Sequence, residues 1–198
     1  MKTLDKAAVF SMLESRQAVL NGHFLLSSGL HSDRYIQCAR LFMDPKDAEA
    51  IGRSLAALAP GKPDMVVSPA LGGLLVGFEV ARALDVPFVF TERDDGTMTL
   101  RRGFEREVRP MTKVLIVEDV LTTGKSTREV IAILTSRRAR CIGALAVIDR
   151  GVPRGALPVP WHGLVRLDLS TWEPGACPAC KRGEPAVKPG SRPGSATC

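Results

Sequence analysis

The segment that decides the fold reads Val114-Leu115-Ile116-Val117-Glu118-Asp119-Val120-Leu121-Thr122-Thr123-Gly124-Lys125-Ser126. It begins with a run of branched aliphatic residues, which is typical of a strand buried on both faces. Two carboxylates and a Thr-Thr-Gly turn follow, and Ser126 with Glu129 has the spacing of a capping box that starts a helix. The segment therefore predicts a strand, a turn and a helix, the basic unit of an α/β fold.

The turn has the properties of a phosphate-binding site. Free N–H groups at a helix N-terminus attract anions, and the hydroxyls of Thr122, Thr123 and Ser126 add donors. Glu118 and Asp119 would oppose a ligand made of phosphate alone, but they suit ribose hydroxyls and the positive charge that develops at C1 when a ribosyl bond breaks. The pattern favours a ribose phosphate over the alternative, in which the two acids only cap backbone or form surface ion pairs.

A nucleotide-hydrolysing P-loop is the competing interpretation of this turn, because Gly124-Lys125-Ser126 matches the end of its motif. The first glycine of that motif would have to stand where this chain has Asp119. The side chain and charge of Asp119 oppose a loop wrapped around a polyphosphate, so the P-loop is not favoured.

Apolar runs alternate with helical patterns on both sides of the segment. The predicted strands cover residues 65–67, 86–90, 114–117 and 142–148, with 165–169 as a further candidate. The predicted helices cover residues 5–20, 45–58, 74–84 and 126–138. This order, with a long loop after residue 90, predicts a mainly parallel central sheet flanked by helices, with ligands at the carboxyl ends of the strands.

Composition narrows the class of protein. The 198 residues suffice for one α/β domain, and without an apolar run of about 18 residues or a signal peptide a cytoplasmic location is expected. Five scattered cysteines indicate reduced thiols rather than a disulfide framework. The net charge of +6 favours anionic ligands, but the basic clusters lack interleaved aromatic residues. Neither nucleic acid nor a membrane is therefore expected as a partner.

Residues 114–126 resemble the motif by which type I phosphoribosyltransferases bind 5-phosphoribosyl 1-pyrophosphate (PRPP). The resemblance includes both acids, the threonines, the glycine and the preceding strand. It implies the type I phosphoribosyltransferase fold with a small N-terminal hood, and magnesium (Mg²⁺) held through PRPP without direct protein ligands. It also implies that PRPP contacts the motif residues, which are Glu118, Asp119, Val120, Leu121, Thr122, Thr123, Gly124, Lys125 and Ser126.

Three further segments resemble the orotate phosphoribosyltransferases, and a tail at 177–183 resembles their thermophile-type bacterial subgroup. Residues 22–35 are similar to the signature over the base pocket, 68–73 to the pyrophosphate-side loop, and 148–150 to an Asp-Arg pair. The resemblance implies transfer of the phosphoribosyl group from PRPP to orotate, giving orotidine 5′-monophosphate and pyrophosphate in pyrimidine (UMP) biosynthesis. It implies that Gly72 contacts PRPP. It also implies that orotate contacts Thr122, Arg150, Ser28 and Gly29.

Loop 91–103 departs from the family pattern. Many orotate enzymes carry lysines and a histidine on a mobile loop that closes over PRPP, whereas this loop contains Arg93, Arg101 and Arg102 and neither of those residue types. Arg93 is expected to replace a lysine on the pyrophosphate and to complete a catalytic set with Glu118 and Asp119, although arginine supplies charge without serving as a proton donor. The resemblance further implies a homodimer in which this loop is shared across subunits.

The remaining expectations concern organisation. Residues 1–184 are expected to form a single phosphoribosyltransferase domain, with 1–44 contributing to the hood and 64–150 forming the core, and residues 185–198 a mobile tail. Cys177-x-x-Cys180 is one ligand pair, short of the four that structural zinc needs, and the three histidines show no metal-ligand spacing, so structural thiols are favoured over a zinc site.

Two other functions stay open on the sequence alone. One is a catalytically weak, PRPP-binding regulator that binds nucleic acid, which the basic charge and the lysine-free loop would suit. The other is a phosphoribosyltransferase that acts on a different base. Substrate competition distinguishes the second from the orotate enzyme, and salt-dependent nucleic-acid binding without turnover would indicate the first.

Overall fold

A computed structural model describes residues 3–26 and 28–189 of the chain. Its elements, in order, are α1 (Lys6–Ser15), β1 (Val19–Leu25), β2 (His31–Ile36), α2 (Pro45–Ala56), β3 (Met65–Pro69), α3 (Gly73–Leu84), β4 (Phe88–Asp94), β5 (Thr97–Leu100), β6 (Lys113–Leu121), α4 (Lys125–Ser136), β7 (Arg140–Asp149), β8 (Trp161–Arg166), β9 (Thr171–Trp172) and α5 (Pro178–Lys181). Short 3₁₀ helices cover Cys38–Phe42, Phe104–Arg106 and Pro174–Ala176.

The central sheet has six strands in the order β5-β4-β3-β6-β7-β8. Every neighbouring pair is parallel except β4 with β5, which is antiparallel. This confirms the predicted α/β fold with a mainly parallel sheet. The chain winds from β3 to one side and from β6 to the other, so these two strands form the switch point, where ligands bind in open sheets of this kind.

Helices cover both faces of this sheet and form two apolar clusters. Helices α1, α2 and α3 pack on one face through residues such as Val9, Ile51 and Val80. Helix α4 packs on the other face through Val130 and Leu134. Strand β6 contributes alternate side chains to the two clusters, which explains why its sequence is apolar without alternation.

A separate three-stranded sheet forms the hood, which lies at the carboxyl ends of the central strands. Its order is β1-β2-β9, so the C-terminal part of the chain completes it. Val187 also pairs with Phe24 of β1, and the backbone N–H of Val187 donates to the carbonyl of His23. The hood thus combines residues 19–36 with residues beyond 170, and it does not include α1, which packs against the core.

The extents of three predicted segments differ in the structure. The predicted helix 5–20 ends at Ser15, and β1 begins at Val19. The predicted loop 91–103 contains a tight β4–β5 hairpin, in which Thr91 pairs with Leu100. The predicted tail from 185 is docked on the hood at Val187, while the rest of that prediction, residues 190–198, lies outside the described residues.

The sequence signals at the start of α2 were reliable. Asp44 is its N-cap and accepts a hydrogen bond from the backbone N–H of Lys46, and Pro45 is the first helical residue. Within the described residues, none of the helices is long and apolar enough to cross a membrane.

Candidate active site

Glu118 and Asp119 lie near the carboxyl end of strand β6, and their side chains face opposite sides of the sheet. Side chains alternate along a strand, so neighbours such as Glu118 and Asp119 cannot share a face. Glu118 is buried on the α4 side, where its Oε1 accepts a hydrogen bond of 2.6 Å from the Thr127 hydroxyl. Asp119 faces the α3 side. The sequence predicted two acids acting together, whereas the structure gives them different surroundings.

Asp119 lines a cavity of about 260 Å³ at the switch point between β3 and β6. Gly72, at the loop that precedes α3, packs directly against it, because a Cβ at this glycine would lie 2.4 Å from Oδ2 of Asp119. The Asp119 carboxylate accepts the backbone N–H of Val120 at 2.8 Å, and burial raises its pKa above the ordinary value. Burying an ionised carboxylate costs free energy unless a ligand supplies hydrogen-bond donors or a cation.

The turn after β6 leads into α4 as predicted, but its cap differs. Gly124 is the N-cap, with a left-handed φ of 71°, and helix α4 begins at Lys125. The predicted capping box is wrong: the N-cap Gly124 makes no side-chain hydrogen bond, and Glu129 binds Arg93. The Thr123 hydroxyl accepts a long hydrogen bond of 3.4 Å from the Lys125 N–H. The other first-turn N–H groups of α4 are therefore available to an anion, which supports the phosphate-site interpretation.

The rest of the motif supports this turn. Thr122 and Thr123 are exposed and line a second cavity, Ser126 is half-buried, and Lys125 is exposed at the start of α4. Val120 and Leu121 complete β6, and the Leu121 carbonyl accepts from the Arg150 N–H at 2.8 Å. Arg128, which the sequence did not indicate, stabilises the turn because its guanidinium donates to the Thr123 carbonyl at 2.9 Å.

The second cavity, of about 410 Å³, lies between the turn and the hood. Arg150 enters it from the end of β7, and its Nε is buried with no hydrogen-bond partner among the described residues. Burial lowers the pKa of this guanidinium, which remains positively charged. A carboxylate would give this buried guanidinium nitrogen a charged hydrogen-bond partner, so the cavity suits an anionic ligand.

The hood supplies the other wall of this cavity. Ser28 lines it, and Gly29, with φ of 84°, shapes the adjacent turn between β1 and β2. Tyr35 lines both cavities and so joins them. Lys188 also lines the larger cavity, a role that the sequence did not indicate because residues 185–198 are predicted to be a mobile tail.

Comparison with known proteins agrees with this geometry. A family model described as Phosphoribosyl transferase domain matches residues 46–161. The orotate phosphoribosyltransferase of Heliobacterium modesticaldum is 46% identical over 192 residues, covering 96% of this chain and 100% of that protein. The orotate phosphoribosyltransferase of Thermotoga maritima is 47% identical over 183 residues, covering 91% and 96%.

The chain belongs to the orotate phosphoribosyltransferase family.

A solved structure supports the same assignment. The crystal structure of orotate phosphoribosyltransferase from Aeropyrum pernix superposes with a TM-score of 0.67 at 29% identity, covering 79% of this chain and 92% of that one. The sequence-based recognition of an orotate phosphoribosyltransferase and of its fold is confirmed.

Arg93 occupies a position that the family resemblance alone did not indicate. Its guanidinium donates to the carbonyl of Gly96 at 2.7 Å and forms an ion pair with Glu129 on α4. Among the described residues, the side chains that line the two cavities do not include Arg93. The assignment of Arg93 to the pyrophosphate therefore requires the β4–β5 hairpin to move and the ion pair with Glu129 to break.

Substitution of Gly72 tests the close approach to Asp119 in this orotate phosphoribosyltransferase family member. A methyl group would lie 2.4 Å from the carboxylate, so Gly72→Ala is expected to displace Asp119 or the loop and to lower kcat/KM about 100-fold. The matched control is Gly61→Ala, where an added Cβ meets nothing within 4 Å. Steady-state kinetics of both variants check this, and equal activity of the two would contradict the proposed contact.

The buried carboxyl of Glu118 predicts an unusual pH dependence of stability. Burial raises the pKa of Glu118 from 4.5 to about 7. Between pH 4.5 and about pH 7, the carboxyl is therefore protonated in the native state and ionised in the unfolded state. The free energy of unfolding therefore falls as the pH rises through this window, by at most about 3 kcal/mol from this group. Burial acts on the pKa of Asp119 in the same direction.

Glu118→Gln is expected to remove its part of this loss, because the amide stays neutral. Denaturant unfolding at about pH 5 and about pH 8 should show a smaller fall in stability for the variant than for the parent chain. Glu14→Gln, at an exposed position of α1, is the matched control and should leave the fall unchanged. A fall that is identical in all three proteins would show that Glu118 is ionised throughout.

Proposed function

We propose that this chain transfers the 5-phosphoribosyl group from PRPP to orotate, giving orotidine 5′-monophosphate and pyrophosphate in pyrimidine biosynthesis. The observation that carries the proposal is the Nε of Arg150, which is buried and unpartnered among the described residues in a cavity that adjoins the phosphate turn. Orotate is an anion that offers a carboxylate to this group. A neutral base such as uracil would leave the guanidinium without a charged partner.

The positions of the residues suggest how the reactants are held. In the proposed complex the 5′-phosphate of PRPP lies on the turn from Thr122 to Ser126, where the α4 N–H groups are available. Asp119 accepts hydrogen bonds from the ribose hydroxyls in the adjoining cavity. Orotate contacts Arg150, Thr122 and the turn at Ser28 and Gly29. Tyr35 lines both cavities, so in the proposed complex orotate and the ribose lie side by side on either side of it.

The reaction then follows from positioning and charge. The bond from the orotate nitrogen to C1 forms as the bond from C1 to the pyrophosphate oxygen breaks, and the proton of the ring nitrogen passes to the released pyrophosphate. The Asp119 carboxylate stabilises the positive charge that develops on the sugar. Closure of the β4–β5 hairpin brings Arg93 to the pyrophosphate and excludes water, which limits hydrolysis of PRPP.

Magnesium fits this arrangement as a partner of PRPP. The Asp119 carboxylate is buried beside a cavity, with backbone close to it at Gly72. Burial is the cause that raises its pKa, and no cation among the described residues lowers it. Hard cations prefer oxygen ligands, which the pyrophosphate group of bound PRPP would provide without a direct protein ligand, while Asp119 lies beside it. When bound, magnesium supplies neutralisation of the leaving pyrophosphate.

The proposal includes a cytoplasmic homodimer in which loop 91–103 serves the neighbouring site. The exposed position of Arg93 outside both cavities supports it, because a hairpin that must break its ion pair with Glu129 to move could then reach a neighbouring site. Sedimentation velocity tests the dimer, and a monomer that remains fully active would refute the shared loop.

Competition among bases tests the specificity. Purified protein with PRPP and magnesium is offered orotate, uracil and hypoxanthine together, and the nucleotides formed are separated and counted. Orotidine 5′-monophosphate is expected as the main product. A different nucleotide would assign the enzyme to another base, and PRPP binding without any product would favour the regulator.

A further inference from the structure

Four potential metal ligands converge in the hood, outside the two cavities of the active site. They are His23 on β1, His31 on β2, Cys177 at the N-cap of α5 and Cys180 within α5. Their ligand atoms all lie within 4.8 Å of one another. The sequence showed only one Cys-x-x-Cys pair, because the histidines lie about 150 residues away in the chain and join it only through the fold.

Three of the ligand–ligand distances are close to those of a tetrahedral zinc site. Zinc bonds of about 2.0–2.1 Å to nitrogen and about 2.3 Å to sulfur place neighbouring ligand atoms about 3.3–3.8 Å apart. Cys177 Sγ lies 3.4 Å from His23 Nε2, and Cys180 Sγ lies 3.7 Å from His23 Nε2 and 3.2 Å from His31 Nδ1. The His23 Nε2 to His31 Nδ1 distance is shorter, at 2.7 Å, and would lengthen when both lone pairs turn to a metal.

The surroundings of His23 hold it in the form that binds a metal. Its Nδ1 lies 2.8 Å from the backbone carbonyl of Glu184, which can only accept, so Nδ1 carries the proton. The lone pair of neutral His23 is therefore on Nε2, which faces the cluster. A hydrogen bond from the second ring nitrogen to a carbonyl is the usual support of a ligating histidine.

Charge and burial also fit zinc. His23, His31 and Cys177 are buried, and Cys180 is partly buried. Two thiolates and two neutral imidazoles around Zn²⁺ give a complex without net charge, which a buried site tolerates. Binding releases the two thiol protons. Four protein ligands leave no open position, which is characteristic of structural rather than catalytic zinc.

We propose that His23, His31, Cys177 and Cys180 bind one structural Zn²⁺, which fastens the C-terminal segment to the hood. The segment that follows α5 runs alongside β1, where Val187 bonds to the backbone of His23 and Leu25. The next residue, Lys188, lines the larger cavity together with Arg150. Zinc therefore holds in place the segment that completes the wall of the base pocket, and its loss weakens orotate binding more than PRPP binding.

Metal analysis of the full chain tests the site directly. The protein is incubated with zinc chloride, freed of excess metal by gel filtration, and analysed for zinc. One zinc per chain is expected for the parent protein, and loss of that zinc for Cys177→Ser and Cys180→Ser. Cys141→Ser is the matched control, because Cys141 lies on β7 outside the cluster and should keep the full content. No bound zinc in the parent protein, or full zinc in Cys177→Ser, overturns the proposal.

Two measurements separate metal binding from packing, in case the variants fold poorly. Cobalt bound to the zinc-free parent protein should show the visible bands of tetrahedral Co²⁺ and a thiolate charge-transfer band, and octahedral bands alone would overturn the proposal. A chelator, added without PRPP, should lower the melting temperature of the parent protein and raise its KM for orotate, with zinc restoring both. An unchanged melting temperature after verified zinc removal would show that zinc does not fasten the segment.

Discussion

Asp119→Asn is expected to lower kcat about 100- to 1,000-fold while leaving the fold intact. The variant keeps the size and the hydrogen bond from the Val120 N–H, but it removes the negative charge that faces the ribose in the proposed complex. Loss of one group that stabilises charge in the transition state costs rates of this order. Initial rates at saturating PRPP and orotate, with circular dichroism to check folding, measure the effect.

The control for this variant makes the same chemical change elsewhere. Asp85 is exposed at the C-cap of α3 in a left-handed conformation that asparagine also accepts, so Asp85→Asn should keep normal turnover. Turnover of Asp119→Asn within a few-fold of the control would refute the role of Asp119.

Replacement of Arg150 is expected to act on orotate selectively. In Arg150→Gln the carboxylate loses a charged donor in a buried site, and a hydrogen bond to a charged group is worth about 1.5–3 kcal/mol. The KM for orotate should therefore rise about 10- to 100-fold, with the KM for PRPP nearly unchanged. Full saturation curves for each substrate separate the two constants.

Two further variants sharpen this result. Arg150→Lys keeps the charge but not the forked donor geometry, so it should recover only part of the orotate affinity. Arg154→Gln, at an exposed position beyond β7, should change neither constant. An equal rise in both KM values for Arg150→Gln would indicate a general disturbance of the site and contradict the assignment of Arg150 to orotate.

Local signals in the sequence predicted most of the central sheet and the phosphate turn. The buried run at 114–117, the Asp44-Pro45 helix start and the Thr-Thr-Gly turn act over a few residues, and the structure places strand, helix and turn as they indicate. The position of Arg150 at a strand end also followed from the order of elements.

Features that depend on distant parts of the chain could not be predicted in this way. The hood needs β9 and Val187 from the far end of the sequence, and nothing near residues 19–36 encodes that pairing. The same pairing brings Lys188 to the base pocket and Cys177 to His23. The opposite orientations of the two acids were missed for another reason: β6 continues through them, whereas the sequence suggested that the strand had ended.

The most direct test of the account is the loss of orotate absorbance when the purified chain is mixed with PRPP and magnesium. We expect a steady loss that requires orotate, PRPP and magnesium together, stops when magnesium is chelated, and yields one pyrophosphate for each orotate consumed. No loss from folded protein that binds PRPP would contradict it.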